Sequence, residues 1–197
     1  MPLTTIDPTA ALVVVDLQKG IVSALSDDTP VTTAVRQATH LAAEFRRHDL
    51  PVVLVNVTGR APGRTDSPAR VRIDTGTSAN ITAPPAGWAD FIDELDVQPT
   101  DHLITKRRRS AFHDTGLDTL LRDLGVTQVV LTGVATSSGV ESTARSAVDH
   151  GYHVVLATDA MGDPDPEAHR HSVERIFPKL GETATTAEIA AMVEATR

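Results

Sequence analysis

Cysteine is absent from this 197-residue chain. That single absence removes disulfides, thiolate metal sites and a thiol nucleophile together, and it is silent about compartment. Aromatic residues are scarce, at 3%, so the core must rest on Val, Leu, Ile and Ala. No apolar run comes near the ~20 residues that a membrane-crossing helix needs. The start, Met1-Pro2-Leu3-Thr4, has neither a basic segment nor a signal-like apolar stretch. A cytoplasmic protein with no membrane partner is the default expectation. Basic charge is also in deficit, because 18 Lys and Arg face 26 Asp and Glu for a formal charge of −8. Nucleic acids and anionic membranes favour basic partners, so neither is expected.

What is present argues for a packed fold. Hydrophobic residues make up 41% of the chain, which excludes disorder, and the length suits one domain over residues 1–197. Residues 10–15 form an apolar, β-branched run that ends at Asp16 and reads as a buried strand. Thr29-Pro30 opens a helix whose apolar face is Val31, Val35, Ala38, Ala42 and Phe45, with Arg46 and Arg47 in its last turn. Further strands are expected at 52–57, 102–105, 129–132 and 152–157, the last ending near Asp159, with a short one at 182–184. Helices are expected around Leu117 to Leu124, closed by Gly125, and from the Thr136 turn to His150. Two more follow Asp165-Pro166 and the capping-box spacing Thr185 to Glu188. Strands alternate with helices and are apolar throughout, so a mostly parallel sheet covered on both faces, an α/β fold, is expected. Residues 58–87 form a long loop rich in Gly, Pro, Ser, Thr and Asp, and loops of that length are usually functional.

Ligands of open parallel sheets bind at the carboxyl ends of strands. Asp16 follows the first strand, Lys106 the third, and Thr136-Ser137-Ser138-Gly139 the fourth. A carboxylate, an ammonium and a helix N-terminus make a workable catalytic set. Each has a plainer reading: a turn residue, the head of the solvated run Lys106-Arg107-Arg108-Arg109, and an N-cap. Among softer candidates, Gln18 is placed to reach a pocket rim or simply to start a helix. Trp88 is a pocket wall or a core residue, and Phe112 packs near the site. Arg60, Arg64, Arg70 and Arg72 punctuate the long loop, and Glu141 and Arg145 are spaced to pair along a helix. No metal is expected, since His169 and His171 lie two apart on a helix and face different directions.

Taken together, Val13-Val14-Val15-Asp16-Leu17-Gln18, Thr105-Lys106 through Ser110-Ala111-Phe112, and Gly133-Val134-Ala135-Thr136 with Val140-Glu141-Ser142-Thr143-Ala144-Arg145 resemble the isochorismatase-like hydrolase superfamily. The resemblance runs from about residue 8 to 193. It implies a Rossmann-like three-layer sandwich with a sheet of about six strands. It also implies a small-molecule substrate, no cofactor, and assembly as a homodimer or larger homo-oligomer. Most members cleave amides with an Asp, a Lys and a Cys. Asp16 and Lys106 match the first two, and Gly139 stands at the Cys position. Nicotinamidases of the superfamily hold a metal on Asp and His after the second strand, but residues 58–87 contain no His.

With Gly139 there is no thiolate attack, so Cys-type amidase chemistry is disfavoured. Isochorismatases proper share that Gly and hydrolyse a vinyl ether, which needs a general acid rather than a nucleophile. Asp16 would donate the proton, and Lys106 would hold a substrate carboxylate or the resulting Asp anion. Gly139 would leave room for substrate, and the N–H groups of Ser138 and Gly139 would face an oxyanion. Val134, Ala135, Ser137 and Ser138 would line the turn, with a cis peptide at Val134–Ala135 by resemblance. Burial would raise the Asp16 pKa and Lys106 would lower it, a contest left open by sequence. Three alternatives stand beside this reading. In one, Ser137 or Ser138 replaces the thiol with Asp16 as base. In the second, the protein is a silent relative that binds a small molecule or serves in an assembly. The third is a dinucleotide-dependent oxidoreductase, disfavoured because no G-x-G-x-x-G follows the first strand.

Overall fold

The computed structural model describes residues 1–25, 29–58 and 84–196. Its centre is a sheet of six parallel strands: β1 (Ala10–Val15), β2 (Val52–Val57), β3 (His102–Lys106), β4 (Gln128–Val134), β5 (His153–Gly162) and β6 (Glu182–Ala184). Their spatial order is β3-β2-β1-β4-β5-β6. The helices are α1 (Lys19–Leu25), α2 (Thr29–Arg47), α3 (Leu117–Asp123), α4 (Glu141–Asp149), α5 (Pro166–His171) and α6 (Thr186–Ala195).

Every residue of β1 is buried, as expected of a strand covered on both faces. Alternate side chains divide the core in two. Leu12, Val14, Leu54, Val130 and Val155 pack beneath α2 and α6, where Leu41, Phe45, Ile189 and Val193 are buried. Val13, Val15, Val53, Val55, Val129 and Leu131 pack against α3 and α4 through Leu117, Leu121, Ala144 and Ala147. The expected α/β layering is thus present, with every strand pair parallel.

Local chemistry explains the element ends. Asp165 caps α5 by accepting the Glu167 and Ala168 N–H groups, with Pro166 in the first turn. Thr185 and Glu188 form the expected reciprocal capping box on α6. Arg46, in the last turn of α2, grips Asp101 with two bonds of 2.9 and 2.7 Å. Helix α1 bears out the plainer reading of Gln18 as the start of a helix, though no periodic pattern marked its extent. It contains Gly20 and the β-branched Ile21 and Val22, all weak helix formers, and forms because the Gln18 carbonyl accepts from Ile21 and Val22.

Two features place the site. Strands run outward from β1 in one direction through β2 and β3 and from β4 in the other, so the sheet's order reverses between β1 and β4. A crevice opens at the carboxyl ends of such a pair. There Gly133 has φ 116°, and a Cβ on it would lie 2.0 Å from the Val15 carbonyl oxygen. Only glycine lets the two strand ends approach so closely.

Candidate active site

Asp16 is the first residue past β1. Its backbone is left-handed (φ 55°), a conformation that Asp tolerates better than most residues. Its N–H still donates to the Val55 carbonyl (2.8 Å), while its own carbonyl accepts from Gln18 (2.9 Å). The chain therefore turns sharply with the carboxyl buried, and Asp16 is only 6% exposed. Lys106 ends β3, opposite Val57 of β2. Its long side chain crosses the end of β2 and donates to Asp16 Oδ2 at 2.7 Å. The same Nζ donates to the Arg109 carbonyl at 2.8 Å, and Lys106 is 2% exposed.

Burial raises the Asp16 pKa from 3.8 to about 6, against the opposing charge and hydrogen bond of Lys106. The contest left open by the sequence goes to burial. Asp16 Oδ1 has no hydrogen-bond partner among the described residues, so half of the carboxyl is free to carry or receive a proton. A carboxyl that titrates near 6 beside a fixed ammonium can act as acid or base close to neutrality. Lys106, by contrast, already directs two of its three N–H donors inward. Two of them fix the ammonium between Asp16 Oδ2 and the Arg109 carbonyl.

Beyond β4 the Val134–Ala135 peptide is cis, as the resemblance implied. A wide turn, Thr136–Val140, follows and leads into α4. Gly139 is buried in this turn, and a Cβ built on it would lie 3.0 Å from Asp16 Oδ2 and 3.1 Å from Val15 Cγ1. Position 139 therefore points straight at the carboxyl, but the fit is already tight. The lack of a side chain at 139 lets the turn lie this close to Asp16.

The other expected residues separate clearly. Val134 is buried and Ala135 half-buried at the turn's start. Ser138 is half-buried, and its N–H donates to the Ala135 carbonyl (3.1 Å), which takes it out of the expected oxyanion-binding pair. The Ser137 hydroxyl donates to Asp163 (2.7 Å) rather than to Asp16, so Asp16 is not its base. Gln18 is fully buried, with its amide committed to backbone: it donates to the Val57 and Trp88 carbonyls and accepts from Val57 N–H. It is a bracket beneath the site rather than a rim group. The Trp88 ring lies across Gly20, where a Cβ would come within 1.9 Å of it. Phe112 stacks on His150 with centroids 5.0 Å apart and leans on Tyr152, just before β5 begins. Its backbone neighbour Ala111 is tied through Thr143 to the Gly139 carbonyl, while its ring extends toward the start of β5. Glu141 and Arg145 pair at 3.0 Å as expected. Arg60, Arg64, Arg70 and Arg72 lie outside the described residues, as does most of the long loop. Among the described residues no group of three or more His, Cys, Asp or Glu could hold a metal.

Asp163 was not anticipated. The sequence suggested that β5 ends near Asp159, but the strand continues to Gly162 through an irregularity opposite Leu131 and Gly133. Asp159 instead caps α6 through Thr186. Asp163 is the acid that emerges at the strand end, 4% exposed and bonded to the turn.

A buried acid–ammonium pair facing a cis-peptide turn at the β1/β4 crevice now stands beside the comparisons. Residues 10–188 match the isochorismatase domain model. The chain belongs to the isochorismatase domain family. It is 40% identical over 192 residues to the uncharacterized isochorismatase family protein YwoC of Bacillus subtilis, covering 93% of this chain and 94% of YwoC. It is 30% identical over 155 residues to the maleamate amidohydrolase of Pseudomonas putida, covering 79% of this chain and 72% of that enzyme. An isochorismatase family protein from Burkholderia thailandensis superposes with a TM-score of 0.83 at 37% identity, covering 96% of this chain and 98% of that one. The protein is thus an isochorismatase-family hydrolase with the family's α/β fold. No described helix is long and apolar enough to cross a membrane.

Proposed function

We propose that this hydrolase cleaves a small anionic metabolite without a covalent intermediate, with Asp16 as the general acid and Lys106 as its partner. The favoured reaction is vinyl-ether hydrolysis of the isochorismate type. The observation that carries this reading is the buried Asp16 carboxyl, held up to about 6 beside Lys106 and faced by a residue without a side chain. Gly139 takes the place of the family's cysteine, so the reacting centre meets an acid rather than a nucleophile.

Asp16 would transfer its proton to the terminal carbon of the enol ether, forming a C–H bond and leaving an oxocarbenium ion. Water adds to that cation, and one of its protons returns to Asp16. The hemiketal then collapses: the C–O bond to the leaving group breaks, the leaving oxygen takes the hemiketal proton, and a 2-oxo acid is released. Lys106 stabilises the Asp16 anion while the cation exists. Arg107, Arg108 and Arg109 support an anionic substrate. All three are exposed, make no ion pair among the described residues, and adjoin Lys106 through the Arg109 carbonyl.

The test is pyruvate release from isochorismate by wild type, Asp16→Ala and Lys106→Ala. Wild-type turnover reduced about 10²–10⁴-fold in Asp16→Ala supports the acid role. No release by folded wild type removes isochorismate as the substrate. An amide screen with wild type and Gly139→Cys then decides whether a small-molecule binding or assembly role replaces the catalytic one.

A further inference from the structure

The turn that carries Gly139 is clamped from two sides. On one flank, Thr143 Oγ1 donates to the Gly139 carbonyl (2.7 Å) and accepts from Ala111 N–H (3.0 Å), tying the turn to the loop after Lys106. The Ser110 and Ser146 hydroxyls add a second tie at 2.8 Å. On the other flank, Asp163 Oδ2 accepts both polar hydrogens of Ser137, from N–H at 2.8 Å and from the hydroxyl at 2.7 Å. Asp163 Oδ1 accepts from Asp165 N–H at 3.1 Å. The neighbouring Thr136 hydroxyl is bonded to His169 Nδ1 at 2.9 Å. Burial lowers the His169 pKa, with the charge of Asp163 opposing. At the end of the turn, Ser172 donates to Glu141 at 2.7 Å.

Asp163 therefore holds the turn directly. It is buried at 4% exposure, yet it touches neither Asp16 nor Lys106 by any hydrogen bond. A buried carboxylate with three hydrogen-bond donors is well compensated, and removing it would release both polar groups of Ser137, an exposed residue, to water and so untie the turn on this flank. Ser137 lies two residues before Gly139, whose Cα faces the Asp16 carboxyl.

We propose that Asp163 is a positioning residue: by gripping both polar groups of Ser137 it keeps the Thr136–Val140 turn, and Gly139 with it, closed over Asp16. The closed turn is part of what excludes water from that carboxyl. Loosening it admits water and stabilises the Asp16 anion, with Lys106 still beside it.

The experiment is a pH titration of the side-chain carboxyl carbons of Asp-labelled protein by NMR, with the Asp16 signal assigned by its loss in Asp16→Asn. Asp163→Ala should lower the Asp16 midpoint from about 6 toward 3.8, by about one pH unit or more. Asp163→Asn keeps one acceptor for Ser137 and should fall between wild type and Asp163→Ala. Phe45→Ala, which weakens the core under α2 and does not touch the turn, should leave the midpoint in place. A folded Asp163→Ala with an unchanged midpoint overturns the proposal. If Asp163→Ala does not fold, Ser137→Ala, which removes the hydroxyl bond and keeps the N–H one, decides by the same readout: a partial drop, smaller than about one pH unit, supports the proposal and no change overturns it. The functional weight of the proposal rests on Asp16 being the reacting acid, but the titration needs no substrate. Wild type that turns over nothing would sink the catalytic reading while leaving the clamp measured on its own terms.

Discussion

At the scale of single residues, the chemistry depends on which protonation state of Asp16 is used. Its pKa is raised to about 6 chiefly by burial. As a general acid it must be protonated in the free enzyme, so kcat/KM should be level below about pH 6 and fall about tenfold per pH unit above it. A base role gives the opposite limb, so a pH–rate profile separates the two. Lys106→Met removes the charge that lowers this pKa, so any remaining falling limb should move to higher pH. Gly139 makes an equally specific prediction. Adding a methyl in Gly139→Ala places carbon 3.0 Å from Asp16 Oδ2, and the carboxyl must shift from Lys106. The shift needed is a few tenths of an ångström, and it should cost about 10-fold in kcat, less than the ~100-fold of a ~1 Å misplacement, with a stability loss of about 1 kcal/mol by overpacking. Steady-state kinetics and urea unfolding on the same sample check both.

At the scale of elements, most boundaries follow from caps and patterning. The capping box of α6 satisfies the Glu188 and Thr185 N–H groups reciprocally. Thr185→Ala should lower unfolding free energy by about 1 kcal/mol with an unchanged urea m value. The close approach of β4 to β1 is a harsher constraint. Gly133→Ala puts a methyl 2.0 Å from the Val15 carbonyl oxygen, at a φ that alanine avoids. The strand ends must separate, with an expected loss of about 4 kcal/mol or more; failure to express in folded form, or a collapsed urea midpoint, would show it.

At the scale of the whole molecule, the buried Asp16 links folding to pH. Its folded pKa lies above its ordinary value, so the folded state holds the proton more tightly than the unfolded chain. The contribution is fully present below about 3.8 and is lost as pH rises through about 6. The size is about 3 kcal/mol from a shift of 3.8 to about 6. Measured as the difference in unfolding free energy between wild type and Asp16→Asn, stability should decline by about that amount from pH 3 to pH 7. Carboxylates such as Glu44 and Glu188, whose pKa values are lowered by hydrogen bonds, act in the opposite sense and cancel in the difference.

Local rules were enough for much of this molecule. Continuous β-branched runs made buried strands at 10–15 and 52–57, spacing and caps placed α2, α5 and α6, and alternation of the two implied a covered parallel sheet. Asp16, Lys106 and the Thr136–Val140 turn stood out because each lies at the carboxyl end of a strand. Other features arose only from packing between distant segments. Whether burial or Lys106 governs Asp16 depends on how much water the closed turn excludes. The commitment of Gln18 to backbone, the seat of Phe112 against His150, and the grip of Asp163 on Ser137 join segments 26 to 70 residues apart. Such contacts leave no periodic or capping signal in the chain. The extension of β5 to Gly162 escaped local rules because its neighbour on the sheet, β4, holds it in place. The start of α1 is held by the Lys19 and Gly20 N–H groups donating to the Asp90 and Trp88 carbonyls, contacts that intrinsic propensity does not foretell.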